Sequence, residues 1–146
     1  MPNWHPMIVH FPIALLTLSV VVDLGALLTG HRGWHRMAYA LVIAGTLGAA
    51  AAVISGNDAA VPHRDSSLAE VVAEHEDFAT AVLITFLATS LGRLPLFLRS
   101  RHGWPLNLWI VLAFLGCGLL WLTSLHGGEL VYEHGIGVQV QGLGES

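Results

Sequence analysis

The feature that most constrains this chain is a set of four apolar runs, each long enough to cross a lipid bilayer. A transmembrane helix needs about 20 mainly apolar residues, and such runs cover residues 7–28, 37–54, 78–98 and 106–125. Only 11% of the residues are charged, against roughly 25% in a soluble domain. The sequence therefore predicts an all-α membrane protein, with a single membrane domain over 1–146.

The connections between these runs indicate how the helices are arranged. TGHRGWHR joins the first run to the second, and RSRHGWP joins the third to the fourth; such short connections favour antiparallel neighbours. The sequence predicts an antiparallel bundle of four transmembrane helices. After His126, the pair Gly127 and Gly128 favours the end of a helix, and the partly alternating LVYEHGIGVQV that follows favours a strand. We expect a short extramembrane strand or hairpin tail over 127–146.

The arginines indicate which way the helices cross the membrane. Five of the six lie in or beside the two short connections, and only Arg64 lies in the longer middle connection. Because basic residues accumulate on the cytoplasmic side, we expect both termini and the middle connection to be periplasmic. The first residues, MPNWHP, lack the positive start of a signal peptide, so the first run is expected to be retained as a helix.

The stretch HPMIVHFPIA, residues 5–14, places two histidines and two prolines at the start of the first run. The residue before a proline disfavours helical geometry, and proline suits the first turn of a helix. We expect the regular helix to begin near Pro12, with His10 pointing into the bundle and His5 nearer to water. A continuous helix kinked at Pro12 is the alternative.

Three histidines converge at the expected outer end of the bundle. His10, His75 and His126 lie within about one turn of an outer helix end, on three different helices. Imidazole is a common ligand of haem iron and of transition metals, and a helix bundle holds a haem between facing helices. We expect His10 and His75 to be the axial ligands of a haem b, with His126 replacing either of them or serving a second haem.

Other polar residues near this end are candidates to support such ligands. A ligating histidine usually gives its second N–H to a carboxylate or a carbonyl, and Asp58, Glu76 and Glu129 lie near enough in sequence to accept it. His134 and Glu129 are expected as supporting groups or as ligands of the second haem. In an alternative without haem, the same three converging histidines bind Cu, Zn or Fe.

The expected inner end carries ionisable residues of its own. Asp23 is expected to pair with an inner arginine such as Arg36, and the alternative is a role in a proton path. Arg93 is expected to extend its side chain to the interface. Three further histidines are expected among phosphate headgroups: His31, His35 and His102.

Four segments together resemble a bacterial family of small four-helix membrane proteins, the domain of unknown function 2231. They are HPMIVHFPIALL, the SGNDA segment, the stretch around His75 and LHGGELVYEHGIGV. The resemblance covers essentially the whole chain and implies a bacterial inner-membrane protein. Some relatives are joined to c-type cytochrome modules, which implies a setting in electron transfer. Motif matching implies these candidate functional residues: His5, His10, Asp58, His126, Gly127, Gly128, Glu129, Tyr132, His134 and Gly135.

These observations lead to a functional hypothesis and two alternatives. The hypothesis is a membrane-embedded, b-type cytochrome-like electron-transfer subunit, rather than a stand-alone enzyme, with haem bound near the outer face. The alternatives are a metal-binding membrane protein without haem and a structural subunit of a larger membrane complex. Expected partners are lipid, other membrane or periplasmic redox subunits and, as a candidate, a quinone. The net charge of −4 offers no basic surface for nucleic acid.

Overall fold

A computed structural model describes residues 4–99 and 104–136, and within these ranges the chain is helical without strands. The helices are α1 (His5–Ile8), α2 (His10–Thr29), α3 (Gly33–Ala60), α4 (Ala69–Leu98) and α5 (Trp104–Tyr132), with a 3-10 turn over Val61–His63. Four helical segments are long and apolar enough to cross a membrane: His5–Thr29, Gly33–His63, Ala69–Leu98 and Pro105–Tyr132. The predicted number of spanning helices and the all-helical membrane class are confirmed.

The first helical segment begins earlier than the sequence suggests. The long helix α2 begins at His10, close to the predicted start near Pro12, but the short helix α1 already begins at His5 and only Val9 separates the two. The Val9 N–H donates to the His5 carbonyl at 3.1 Å, and the Ile13 N–H donates to the Val9 carbonyl at 3.3 Å. Pro12 is the third residue of α2, where a missing N–H costs no helical hydrogen bond.

The last helix ends later than the sequence suggests. The helix α5 continues through Gly127 and Gly128 to Tyr132, so the expected helix end at the glycine pair is wrong. Packing against α4 explains the continuation, since His75 lies against Gly127 and tertiary contacts override weak helix propensity. No strand occurs in the described part of the expected tail, 127–136, and its remainder, 137–146, lies outside the described residues.

Successive helices pack closely where one of them carries a glycine. From α2 to α3, Leu16 lies against Gly45, and Trp34 near the start of α3 lies against Gly25 near the end of α2. Between α4 and α5, Trp109 covers Gly92. Glycines let neighbouring helices approach closely in membranes. The side chains at the centre form one apolar cluster: Leu16, Val20, Val42, Val82, Phe86, Ala113, Cys117 and Leu120.

The two ends of the helices differ in chemistry. The arginine end comprises the end of α2, the start of α3, the end of α4 and the start of α5. The cavity end comprises α1, the end of α3, the start of α4 and the end of α5. A second apolar cluster of Ala60, Val72 and Leu130 covers the cavity end, with Leu68, Val71 and Ile136 packed against it.

A buried ion pair joins α2 to α4 near the arginine end. Arg93 is 2% exposed and Asp23 is 0% exposed. Arg93 Nη1 donates to Asp23 Oδ2 at 2.6 Å, and Nη2 donates to Oδ1 at 3.1 Å. The expected extension of Arg93 to the interface is therefore wrong, because a fully buried carboxylate provides a bidentate partner.

The same carboxylate also holds α3. His35 Nδ1 lies 2.7 Å from Asp23 Oδ1, so His35 takes part in a buried network instead of lying among headgroups. Asp23 therefore pairs with an arginine, as expected, but with Arg93 instead of Arg36. The guanidinium of Arg36 instead lies over the Phe97 ring, 4.8 Å from its centroid. His102 lies outside the described residues.

Candidate functional site

A cavity of about 340 Å³ lies at the cavity end, between all four long helices. Apolar side chains form most of its wall, and polar groups reach it from His5, His10, His75, Thr123 and Ser124. Pockets of roughly 300–1,000 Å³ with a few convergent polar groups are typical binding sites for small molecules and cofactors. The cavity is therefore the candidate functional site.

His5 enters this cavity from α1 and is fixed by α3. Its Nδ1 lies 3.0 Å from the carbonyl oxygen of Ala52 and 3.1 Å from Ser55 Oγ. The imidazole also lies directly over Gly56, where a Cβ would be 3.0 Å from His5 Cε1. The SGND segment thus provides both a hydroxyl that holds the ring and a glycine that leaves space for it.

His75 enters the cavity from the start of α4 and is half-buried against α5. A Cβ at Gly127 would lie 3.1 Å from His75 Cε1, so the glycine leaves space for this ring as Gly56 does for His5. Within the described residues, the buried Nδ1 atom of His75 has no hydrogen-bond partner. The HGG segment of α5 therefore serves to accommodate a histidine of another helix.

The two imidazoles face each other across the site. Their ring centroids are 6.5 Å apart and their planes are nearly perpendicular, at 85°. Sequence reasoning places His10 opposite His75, whereas the structure places His5 there. Histidines five residues apart on a helix point about 140° apart, so one of the two had to face away, and the glycine-containing SGND segment is the signal that identifies His5.

His10 and His126 each have a ring nitrogen next to a backbone carbonyl. His10 lines the cavity, but it is exposed and its Nδ1 lies 2.6 Å from the Pro6 carbonyl oxygen. His126 Nδ1 lies 2.9 Å from the Leu122 carbonyl oxygen, and its ring lies against Phe78 with centroids 4.9 Å apart. Each of these rings therefore has a nitrogen engaged with a carbonyl four residues earlier in the chain.

The expected supporting residues are divided between the cavity end and the surface. Glu76 lines a second cavity of about 110 Å³, which also borders His5 and His75. The Oε1 atom of Glu76 lies 3.9 Å from Nη2 of Arg64. The other four are exposed side chains that line neither cavity: Asp58, Glu129, Tyr132 and His134.

The donor set limits what the site can hold. Within residues 4–99 and 104–136, no group of three or more His, Cys, Asp and Glu side chains is placed to hold a metal ion. The three-histidine set of His10, His75 and His126 is thus not gathered at one point. What the arrangement offers is a pair of opposed imidazoles, set in an otherwise largely apolar cavity.

Comparison with known proteins gives the family of the chain. No curated protein and no solved structure matches it. A family model with the description "predicted membrane protein (DUF2231)" matches residues 2–140, which includes every helix of the fold and both histidines of the facing pair. The chain belongs to the DUF2231 family of predicted membrane proteins.

Proposed function

We propose that this protein binds a haem between His5 and His75 and acts as an electron-transfer subunit. The observation that carries the proposal is the pair of imidazoles with ring centroids 6.5 Å apart. When one metal binds two imidazoles, each ligating nitrogen lies about 2 Å from the metal. Adding the distance from each nitrogen to the centre of its ring puts the two ring centres roughly 6 Å apart. The observed spacing is close to that distance.

The number of protein ligands favours haem over a free metal ion. A structural or catalytic zinc ion takes three or four protein ligands, whereas the described residues bring only two histidine rings together at this site. A haem supplies its own equatorial nitrogens, so two axial histidines are sufficient. When bound, the haem would supply one-electron redox chemistry, and His5 and His75 would hold it in a largely apolar cavity.

The hydrogen bonds of His5 hold its imidazole in one orientation, as is typical of a histidine that binds a metal. If Nδ1–H donates to the Ala52 carbonyl at 3.0 Å, the other ring nitrogen carries the lone pair. Hydrogen bonds of this kind orient ligating histidines and set their tautomer. Small residues of the wall, including Ala49, Ala79 and Gly128, leave space for a flat macrocycle beside the two rings.

The arginine distribution supports a periplasmic location for the site. Because the arginine end holds Arg32, Arg36, Arg93 and Arg99 while the cavity end holds Arg64, the positive-inside rule assigns the arginine end to the cytoplasm. Electrons would then pass from a quinol or a partner membrane subunit to a periplasmic acceptor. Both termini are periplasmic in this arrangement, in a bacterial inner membrane.

A visible spectrum tests the proposal. The protein, expressed with an adequate haem supply and purified in mild detergent, is expected to show a Soret band. His5→Ala and His75→Ala are expected to lose the band, whereas His10→Ala and His126→Ala retain it. Loss in His10→Ala with retention in His5→Ala would instead favour His10 and His75 as the ligands.

The alternatives have distinct outcomes. Absence of a Soret band in the well-folded wild-type protein overturns the proposal. Elemental analysis then separates the other two functions: bound copper, zinc or iron that is lost in His75→Ala favours a metal-binding protein. A metal-free protein whose histidine variants impair only assembly with other subunits favours a structural role.

A further inference from the structure

We infer that Arg32, Arg36 and Arg99 bind the phosphate of an anionic phospholipid at the arginine end. The inference does not depend on the proposed haem, because these residues lie at the opposite end of the helices. All three side chains are exposed. The surface that they form, here called the arginine seam, lies where the start of α3 meets the end of α4.

A contact between α3 and α4 places Arg36 beside the end of α4, which carries Arg99. The Arg36 guanidinium lies 4.8 Å from the centroid of the Phe97 ring. Arg99 follows Phe97 by two residues and caps α4, while Arg32 precedes Arg36 by one turn and caps α3. Stacking on the ring limits the positions that the guanidinium of Arg36 adopts, which lowers the entropic cost of binding an anion.

The charge of the seam is not neutralised by the protein. Asp23 is the one carboxylate that the described residues place at this end, and it is buried and engaged by Arg93 and His35. None of the ion pairs within the described ranges includes a seam arginine. The cavity end differs, since its Arg64 lies beside Glu76.

The surroundings of the seam favour a lipid over a free anion. Leu98 is 70% exposed, Met37 51% and Trp34 41%, so large apolar side chains flank the guanidinium groups. A phospholipid presents a phosphate and acyl chains together, and therefore satisfies both kinds of surface. Guanidinium binds phosphate through paired, charge-assisted hydrogen bonds, and each basic residue near an anionic membrane surface contributes about a fivefold gain in binding.

Thermal unfolding with added lipid tests the inference. The protein in neutral detergent is titrated with phosphatidylglycerol or with phosphatidylcholine, and Tm is followed by tryptophan fluorescence. Phosphatidylglycerol is expected to raise Tm at lower concentration than phosphatidylcholine does. Arg36→Gln and Arg99→Gln are each expected to weaken the phosphatidylglycerol effect about fivefold, and Arg64→Gln, the matched control from the other end, to leave it unchanged.

Three results would overturn the inference. The first is an equal response to both lipids, and the second is an unchanged response in Arg36→Gln and Arg99→Gln. The third is a rise in Tm of the same size with inorganic phosphate or glycerol phosphate, which would identify a free phosphate as the ligand in place of a lipid.

Discussion

Gly127 of α5 lies directly beneath the imidazole of His75 of α4, and a Cβ on the glycine would be 3.1 Å from His75 Cε1. The next residue, Gly128, has nothing within 4 Å of the corresponding position. These adjacent glycines share one helix and one helix propensity, but only the first makes space for a candidate ligand. Comparing the two glycines therefore separates the effect of the His75 contact from the effect of helix propensity.

The first prediction uses this pair of glycines. Both Gly127→Ala and Gly128→Ala gain about 1 kcal/mol of intrinsic helix stability, but Gly127→Ala also forces the His75 ring to shift. We expect a higher Tm for Gly128→Ala than for Gly127→Ala in detergent. Equal Tm values for the two variants would contradict the assigned contact between Gly127 and His75.

The second prediction concerns the buried ion pair. Asp23→Asn leaves the Arg93 guanidinium buried without its counter-charge, and such a change costs about 3–5 kcal/mol. The double variant Asp23→Leu with Arg93→Leu removes both charges, and we expect it to recover most of this loss. Unfolding in graded denaturing detergent measures the difference.

The ion pair at the other end, which is open to solvent on its arginine side, provides the control. Arg64 is 59% exposed and Glu76 24%, and Arg64 Nη2 lies 3.9 Å from Glu76 Oε1. Because exposed ion pairs contribute about 0–1 kcal/mol, Arg64→Gln is expected to change stability little. The double variant at Asp23 and Arg93 could instead be no more stable than Asp23→Asn alone. That result would show that the broken ion pair does not cause the destabilisation of Asp23→Asn.

The sequence predicts the coarse architecture because hydropathy and length decide which segments enter a membrane. The four apolar runs each lie within one of the four spanning helices. The helix ends are less predictable, because α4 begins at Ala69 and α5 ends at Tyr132, well into polar sequence. Helices continue past the apolar core wherever packing and backbone hydrogen bonds allow. Hydropathy does not predict where such an extension ends.

The site is partly predictable for a related reason. Position near a helix end identifies His75 as a candidate, but the choice between His5 and His10 depends on the geometry of α1 and of the start of α2, each of which contains a proline. The partner of Asp23 depends on a contact across 70 positions of the chain. Such contacts arise from helix packing, and a single sequence records them only through small residues such as Gly56 and Gly127, whose meaning emerges once their neighbours are known.

The third prediction tests a contact between α4 and α5. Trp109 lies so close to Gly92 that a Cβ at this position would overlap its ring. Gly92→Ala therefore overpacks the contact, and overpacking costs about 1–3 kcal/mol. Gly118→Ala is the control, because nothing lies within 4 Å of its Cβ position. We expect a lower Tm for Gly92→Ala, and no decrease for Gly118→Ala. A stabilising effect in both variants would contradict the Gly92–Trp109 contact.

The fourth prediction tests the orientation of the helices, on which the proposed periplasmic site depends. Cys117 is the one cysteine of the chain and is buried, so a Cys117→Ala background allows single reporter cysteines. Asp65 and His31 are both exposed but belong to opposite ends. With a membrane-impermeant maleimide added to intact spheroplasts, we expect labelling of Asp65→Cys and no labelling of His31→Cys until the cells are lysed. The reverse pattern would place the cavity in the cytoplasm and exclude a periplasmic electron acceptor.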